Sequence, residues 1–352
     1  MMYSSVFKSA AIAGCLSALA LAPAAQADVK LNGSGASFPF PIYAKWFKDF
    51  SKQNKDIRVD YQAKGSGAGI NDLINGVVDF AASDAAMKDD EMAQVEQGVV
   101  LLPMTAGEVV LAYNLDGVEE LRLPRAVYPE IFLGKITKWN DPKIADANPG
   151  VDLPDDDITV VVRSDSSGTT YVFTGHLSHI DEAFKNDVGQ AKAPNWPDSD
   201  KFIKAPKNDG VTAQIKQIPG SIGYIEYGYA KLTNQPTAKL ENKSGAFVAP
   251  GPESGAAALA SAEFPDGTLP GSDVPNLIAW VWDPAGENAY PIATMTWLLL
   301  YREQDDDKAA ALRKLVEYCT SEEAQGQADA LGYIPLPPEV IQKVRAAAEF
   351  VQ

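Results

Sequence analysis

The chain has 352 residues, 46% of them hydrophobic and 22% charged, with 30 Lys+Arg against 47 Asp+Glu and a net charge of −17. That balance excludes a disordered tail, a collagen-like chain and a multi-span membrane protein. The acidity argues against a nucleic-acid partner, because a phosphate backbone needs a basic face, yet it leaves open a small anion held by local donors.

Residues 1–27 read as a removed export signal. Lys8 is the only charge before Asp28, the run AAIAGCLSALALAPAA follows it, and Ala25-Gln26-Ala27 puts small residues where a signal peptidase reads. Ile12-Ala13-Gly14-Cys15 also resembles a lipoprotein cleavage site, so a lipid anchor at Cys15 is the alternative. The remainder suggests about two domains of roughly 150 residues. Helical spacing is expected over Pro41–Gln53, with Ile42, Tyr43, Trp46, Phe47 and Phe50 on one face, and over Ile70–Val77, with Ile70, Leu73, Ile74 and Val77 inward. Strand-length apolar runs are VVDFAA (77–82), GVVLLPM (98–104), EVVLAYN (108–114) and ITVVV (158–162). A helix over Thr169–Ile180 buries Val172, Phe173, Leu177 and Ile180. A strand IATMTWLLLY (292–301) and helices over Lys308–Ser321 and Pro338–Val351 close the chain. Strands alternating with helices predict an α/β protein with mostly parallel sheets.

Three segments place glycines and hydroxyls at the mouth of a helix: Gly33–Pro39, Lys64–Gly69 and Arg163–Thr170. A helix N-terminus leaves N–H groups unpaired and carries a partial positive charge. Glycine admits a ligand to the backbone, and Ser or Thr adds an O–H donor, so the combination suits an anion. One such segment would read as ordinary capping; three, one of them edged by Arg163, favour an anion site. Asp84 ends a strand; in such a site it would repel a bare anion and fit only an anion that brings a proton to donate, the alternative being a surface Asp that caps the next turn.

Enzyme signatures are missing: the sequence has no GxSxG elbow and no GxxxxGK[ST] loop, and GSGAG is only a fragment of a dinucleotide fingerprint. His176 and His179 are expected on the polar edge of their helix, with no third ligand for zinc and no serine beside them. The acidic runs Asp155–Asp157 and Asp305–Asp307 read as solvated faces or helix starts, and Cys319 as a small buried hydrophobe.

The ordered set GSGASFPFPIYAKWF, YQAKGSGAG, VDFAASDAAM, IFLGKITKWNDPKI, VVRSDSSGTTYVFT and PGSIGYIEYGYA resembles the phosphate-binding proteins of bacterial high-affinity phosphate ABC importers, from about Asn32 to Tyr229 with a weaker tail. The resemblance implies a two-lobed periplasmic-binding-protein fold of type II, each lobe a mostly parallel sheet flanked by helices, with phosphate in the cleft. It implies lobes of 28–104 plus 290–352 and of 105–289, crossing near LLPMTAG and AYPIATM. By motif, Ser37 and Phe38 supply a hydroxyl and an N–H, and Ser66 a hydroxyl. Asp84 accepts the phosphate proton. Arg163 pairs with the anion while Asp165 holds Arg163, and Ser167, Gly168 and Thr169 donate from the helix start. Three positions depart from the pattern: Ser37 stands where relatives commonly carry Thr and keeps the hydroxyl, Ser166 where they often carry Gly, and Gly67 where they can carry a second Ser. The implied protein is a monomeric periplasmic receptor. It is not an enzyme, has no metal or cofactor, and delivers phosphate to a membrane permease with its ATPase subunits. A receptor for sulfate or another oxyanion, and a secreted phosphatase using Ser167, are the rivals.

Overall fold

A computed structural model describes residues 29–352; the expected export signal and Cys15 lie outside the described residues. Among the described residues eleven strands run in chain order: β1 Val29–Gly35, β2 Ile57–Ala63, β3 Phe80–Ser83, β4 Val99–Asn114, β5 Arg122–Leu123, β6 Thr159–Arg163, β7 Phe202–Ala205, β8 Ser221–Glu226, β9 Lys239–Glu241, β10 Phe247–Val248 and β11 Ala293–Tyr301. Eight of them form one sheet in the order β2-β1-β3-β11-β4-β8-β6-β7, and β10-β9-β5 form a small second sheet.

The large sheet consists of two parallel halves joined by an antiparallel centre. β1 pairs in parallel with β2 and β3, and β6 with β7 and β8. Between them β11 lies antiparallel to β3 and β4, and β4 antiparallel to β8. The register shows where the halves meet. β3 advances along β11 until Ser83 stands opposite Trp297, itself opposite Pro103, whereas β8 advances the other way until Glu226 stands opposite Val109. The carboxyl ends of the two halves therefore converge over residues 103–109 of β4. Crevices at the carboxyl ends of parallel strands are where such sheets hold ligands.

The sixteen-residue strand β4 corrects the expectation of two strands, GVVLLPM and EVVLAYN, separated by a break. Pro103 and Gly107 look like turn signals in sequence. In the sheet, the register shifts by a residue between Thr296 and Trp297, beside Pro103. A bulge is where a ladder tolerates a proline. Fifteen of the sixteen residues are buried, Thr105 and Glu108 among them, as in a central strand covered on both faces.

The helix Phe40–Gln53 buries the five residues expected of it and has Pro41 in its first turn, where a missing N–H costs nothing. The second helix is Ser66–Ile74, four residues earlier than expected, which makes Ser66 its first residue. The chain then turns at Gly76, at φ 67°, and leaves Val77 63% exposed, in neither the helix nor the strand predicted for it. The helix Gly168–Ile180 buries Val172, Phe173 and Leu177. His176 lies inside it and not on a polar edge: its Nε2 is 2.9 Å from Tyr128 Oη, and burial pushes its pKa down to about 3. His179 is exposed and stacks on Trp282. Asp305 caps the helix Asp306–Cys319, while Asp157 meets Lys201 at 2.8 Å. Burial pushes the Cys319 thiol up, as expected of an inert packed thiol.

Candidate functional site

Each expected site residue follows the carboxyl end of a strand. β1 leads to Ser37 and Phe38, β2 to Ser66, β3 to Asp84, and β6 ends on Arg163 and leads to Asp165 and Ser167–Thr169. Ser37, Phe38, Ser66, Asp84, Arg163, Ser167 and Thr169 are all buried, within a few per cent of complete exclusion from solvent. They form one connected constellation.

Ser66 Oγ lies 3.3 Å from Asp84 Oδ2 and accepts from the Asp84 N–H at 3.3 Å. Asp84 Oδ1 accepts from Thr296 Oγ1 at 2.8 Å. Thr296 faces Thr105 beside a bulge in β4, where Met104 has no partner on β11, and bulges re-aim side chains. Burial pushes the Asp84 carboxyl up to about 7, against the opposing pull of the Thr296 hydrogen bond, the Arg163 charge and the Ser66 hydroxyl.

Arg163 grips Asp165 with both edges of its fork, Nε to Oδ1 at 2.8 Å and Nη2 to Oδ2 at 2.5 Å, while Nη1 donates to Thr169 Oγ1 at 3.3 Å. Burial pushes the Asp165 carboxyl up, but the Arg163 hydrogen bonds and charge outweigh it and hold the pKa below the usual value. Asp165 also accepts from the Lys207 N–H at 2.9 Å. The guanidinium is thus pre-aimed by an ionised partner. Ser167 caps its helix, accepting from Thr170 N at 3.0 Å, and the first intrahelical bond is Tyr171 N to Ser167 O at 3.1 Å. The N–H groups of Gly168 and Thr169 precede that bond and point out of the helix mouth.

Gly168 is a point of close approach between the two halves. A Cβ there would stand 2.5 Å from Ser66 Oγ, 2.7 Å from Asp84 Oδ2 and 2.8 Å from Asp84 Cβ. The halves also meet through Gly67 N to Ser166 O at 3.0 Å, Lys192 Nζ to Glu91 at 2.6 Å, and Tyr229 Oη to Ser37 O at 2.6 Å. The constellation sets an arginine, several hydroxyls and the helix-mouth N–H groups around the Asp84 carboxyl. The arrangement is suited to enclosing a small tetrahedral oxyanion that carries one proton.

A model of the PBP superfamily domain matches residues 22–323. The phosphate-binding protein PstS of Pasteurella multocida is 39% identical over 320 residues, 90% of this chain and 89% of its own. That of Xylella fastidiosa is 38% identical over 328 residues, 92% and 86%. This chain belongs to the PstS phosphate-binding proteins of the PBP superfamily. Solved structures share the fold at lower identity. An ancestral soluble variant of the human phosphate binding protein superposes with TM-score 0.74 at 18% identity, covering 90% of this chain and 93% of that one. A phosphate binding protein from Stenotrophomonas maltophilia gives 0.67 at 22%, with the same coverage. The fold is the two-lobed α/β fold of periplasmic binding proteins.

Two of the positions that depart from the expected motif, 67 and 166, meet in space. A Cβ on Gly67 would stand 2.1 Å from Ser166 Oγ and 2.5 Å from Ser166 Cβ. Ser166 therefore occupies the room that a side chain at 67 would need.

Two residues of the constellation escaped the sequence reading. Thr296 was hidden as one of two threonines in an otherwise apolar strand. Asn208 lies at the mouth of the helix Lys207–Gln217 and is fully buried. Its signal was the helix start PKNDG ahead of Val211 and Ile215, which lacks the Ser and Thr that marked the other three.

Proposed function

We propose that the protein is an extracytoplasmic receptor that captures inorganic phosphate between its two halves and hands it to an ABC permease with its ATPase subunits. The observation that carries this reading is the donor set of Ser37, Ser66, Arg163, Thr169 and the helix-mouth N–H groups, closed against one acceptor, Asp84. Hydrogenphosphate has oxygens for the donors and an O–H for Asp84; sulfate has no proton to offer. In this reading Ser37 gives its hydroxyl and Phe38 its N–H. Ser66 and Ser167 give hydroxyls, Arg163 pairs with the anion under the hold of Asp165, and Gly168 and Thr169 donate from the helix start.

The lobes are taken as 28–104 plus 290–352 and 105–289, with β4 and β11 as the crossings near Leu101–Gly107 and Ala289–Met295. Both strands pair with members of the first half, and β4 continues into the second, which supports a hinge at that point. The work is binding and closure and not chemistry. Ser167 Oγ is engaged with Thr170 N, and His176 with Tyr128, so the phosphatase reading lacks a base for its nucleophile. Residues 1–27 direct the chain to the periplasm, where it acts as a monomer.

Calorimetry tests the reading on protein unfolded and refolded to remove bound ligand, then titrated with phosphate, arsenate and sulfate. Phosphate binds tightly and arsenate comparably. Sulfate is rejected by about 10⁴-fold, the scale for a site that pairs a ligand hydroxyl. Sulfate bound as well as phosphate would make the protein a general oxyanion receptor, and no binding of any of the three would remove the reading.

A further inference from the structure

We propose that Asn208 is a specificity-determining positioning residue that fixes the hydroxyls of Ser37 and Thr169 as obligate donors toward the anion. The inference rests on the phosphate reading above and concerns which way two O–H groups point.

The backbone fixes the orientation of the Asn208 amide. Its Oδ1 accepts from the Glu226 backbone N–H at 2.9 Å. A backbone N–H can only donate, so this contact fixes which end of the amide is oxygen. The Nδ2 end then faces the cleft, where its two hydrogens go to Ser37 Oγ at 3.0 Å and Thr169 Oγ1 at 3.1 Å. These hydroxyls come from opposite halves of the sheet, and Asn208 is the link between them.

Each hydroxyl has one hydrogen to give and two lone pairs to receive. Ser37 Oγ receives from Asn208 N at 3.1 Å as well as from Nδ2. Thr169 Oγ1 receives from Arg163 Nη1 at 3.3 Å as well as from Nδ2. All four of those partners are groups that can only donate. Both hydroxyls have therefore spent their accepting capacity on the protein, and each retains only its hydrogen for a ligand. A serine or threonine is normally ambivalent and would serve a ligand O–H as readily as a ligand oxygen. Asn208 removes that ambivalence and leaves Asp84 as the acceptor. The backbone supports this placement. Lys207 lies at φ 60°, a conformation uncommon outside glycine, and its N–H is tied to Asp165.

The test is a double-mutant cycle on phosphate affinity, with Asn208→Asp as the principal variant. It has nearly the same shape and still accepts from the Glu226 N–H, but its carboxylate draws both O–H groups toward itself and turns lone pairs to the anion. In the otherwise native chain it should weaken phosphate binding by about 10²-fold or more. In the Ser37→Ala and Thr169→Val backgrounds the same change should cost about tenfold less, because the group through which Asn208 acts is gone. A residue that only braces the Glu226 turn, or a charge that only repels the anion, costs the same in every background. Such additivity would overturn the proposal. Melting temperature reports folding. If Asn208→Asp does not fold, Asn208→Ala is read in the same cycle with the same criterion. The native chain is titrated alongside: no phosphate binding there defeats the underlying reading and this proposal with it, whereas native binding with an additive cycle defeats this proposal alone.

Discussion

Replacing Asp84 by Asn should alter both the pH dependence of stability and the choice of anion. The carboxyl is 1% exposed and rises from 3.8 to about 7 because burial penalises its charged form. At 1.36 kcal/mol per pH unit this corresponds to about 4 kcal/mol. The folded-state value lies above the unfolded one. The neutral carboxyl's contribution is therefore complete below about pH 4 and is lost as the pH rises through about 7. The Asn side chain does not titrate, so its stability lacks that loss. Between pH 4 and pH 8, ligand-stripped Asp84→Asn should gain about 4 kcal/mol on the ligand-stripped native chain. Other titrating groups cancel in the difference. Urea unfolding of both proteins at the two pH values measures it. In the same variant the Thr296 hydroxyl keeps its acceptor, now an amide oxygen, and the amide nitrogen turns toward Ser66 and the anion. That nitrogen can donate to a bare oxygen, so sulfate affinity rises while phosphate affinity falls. A stability difference that does not change with pH, together with sulfate affinity unmoved, would refute this account of Asp84.

Arg163→Ala should weaken phosphate binding by about 10²-fold or more, against about tenfold for Ser66→Ala, because it removes a charged donor and leaves Asp165 without its ion pair. Equal small losses in a titration would contradict the assigned roles. Gly168→Ala should cost about tenfold to a hundredfold in phosphate affinity, the range for overpacking by one methyl group, because its Cβ would meet Ser66 and Asp84. The melting temperature of the stripped protein should change little, and unaltered affinity would show that the halves need not approach so closely.

The site was legible where its chemistry is written as a local pattern. Ser37, Ser66, Arg163 and Ser167–Thr169 each belong to a run of glycine and hydroxyl residues at a helix mouth, and the structure brings all of these runs together. Asn208 and Thr296 were not legible because their role comes from tertiary placement, one through an amide bridging two halves and the other through a bulge. The break predicted in β4 failed for a related reason. Pro103 and Gly107 are turn residues by local preference, but the ladder absorbs the first beside a bulge, and the second packs under Phe38 and Glu226. His176 shows that a polar side chain on a helix cannot be assigned to solvent while its partner, Tyr128, is distant in sequence.

The position of β11 has a consequence for how the chain comes to be folded. β11 is the last strand in sequence but lies at the centre of the sheet, between β3 and β4. Until residue 301 is available, β3 and β4 each present an unpaired edge where the finished protein has a full ladder. The N-terminal half can form its local helices and the β1–β2–β3 ladder early, but its sheet cannot close onto β4 before nearly the whole chain has been made. Such late, long-range closure is slow and keeps strand edges open to other chains. A chain cut short before Ala293 would lose the centre of its sheet and not merely its tail.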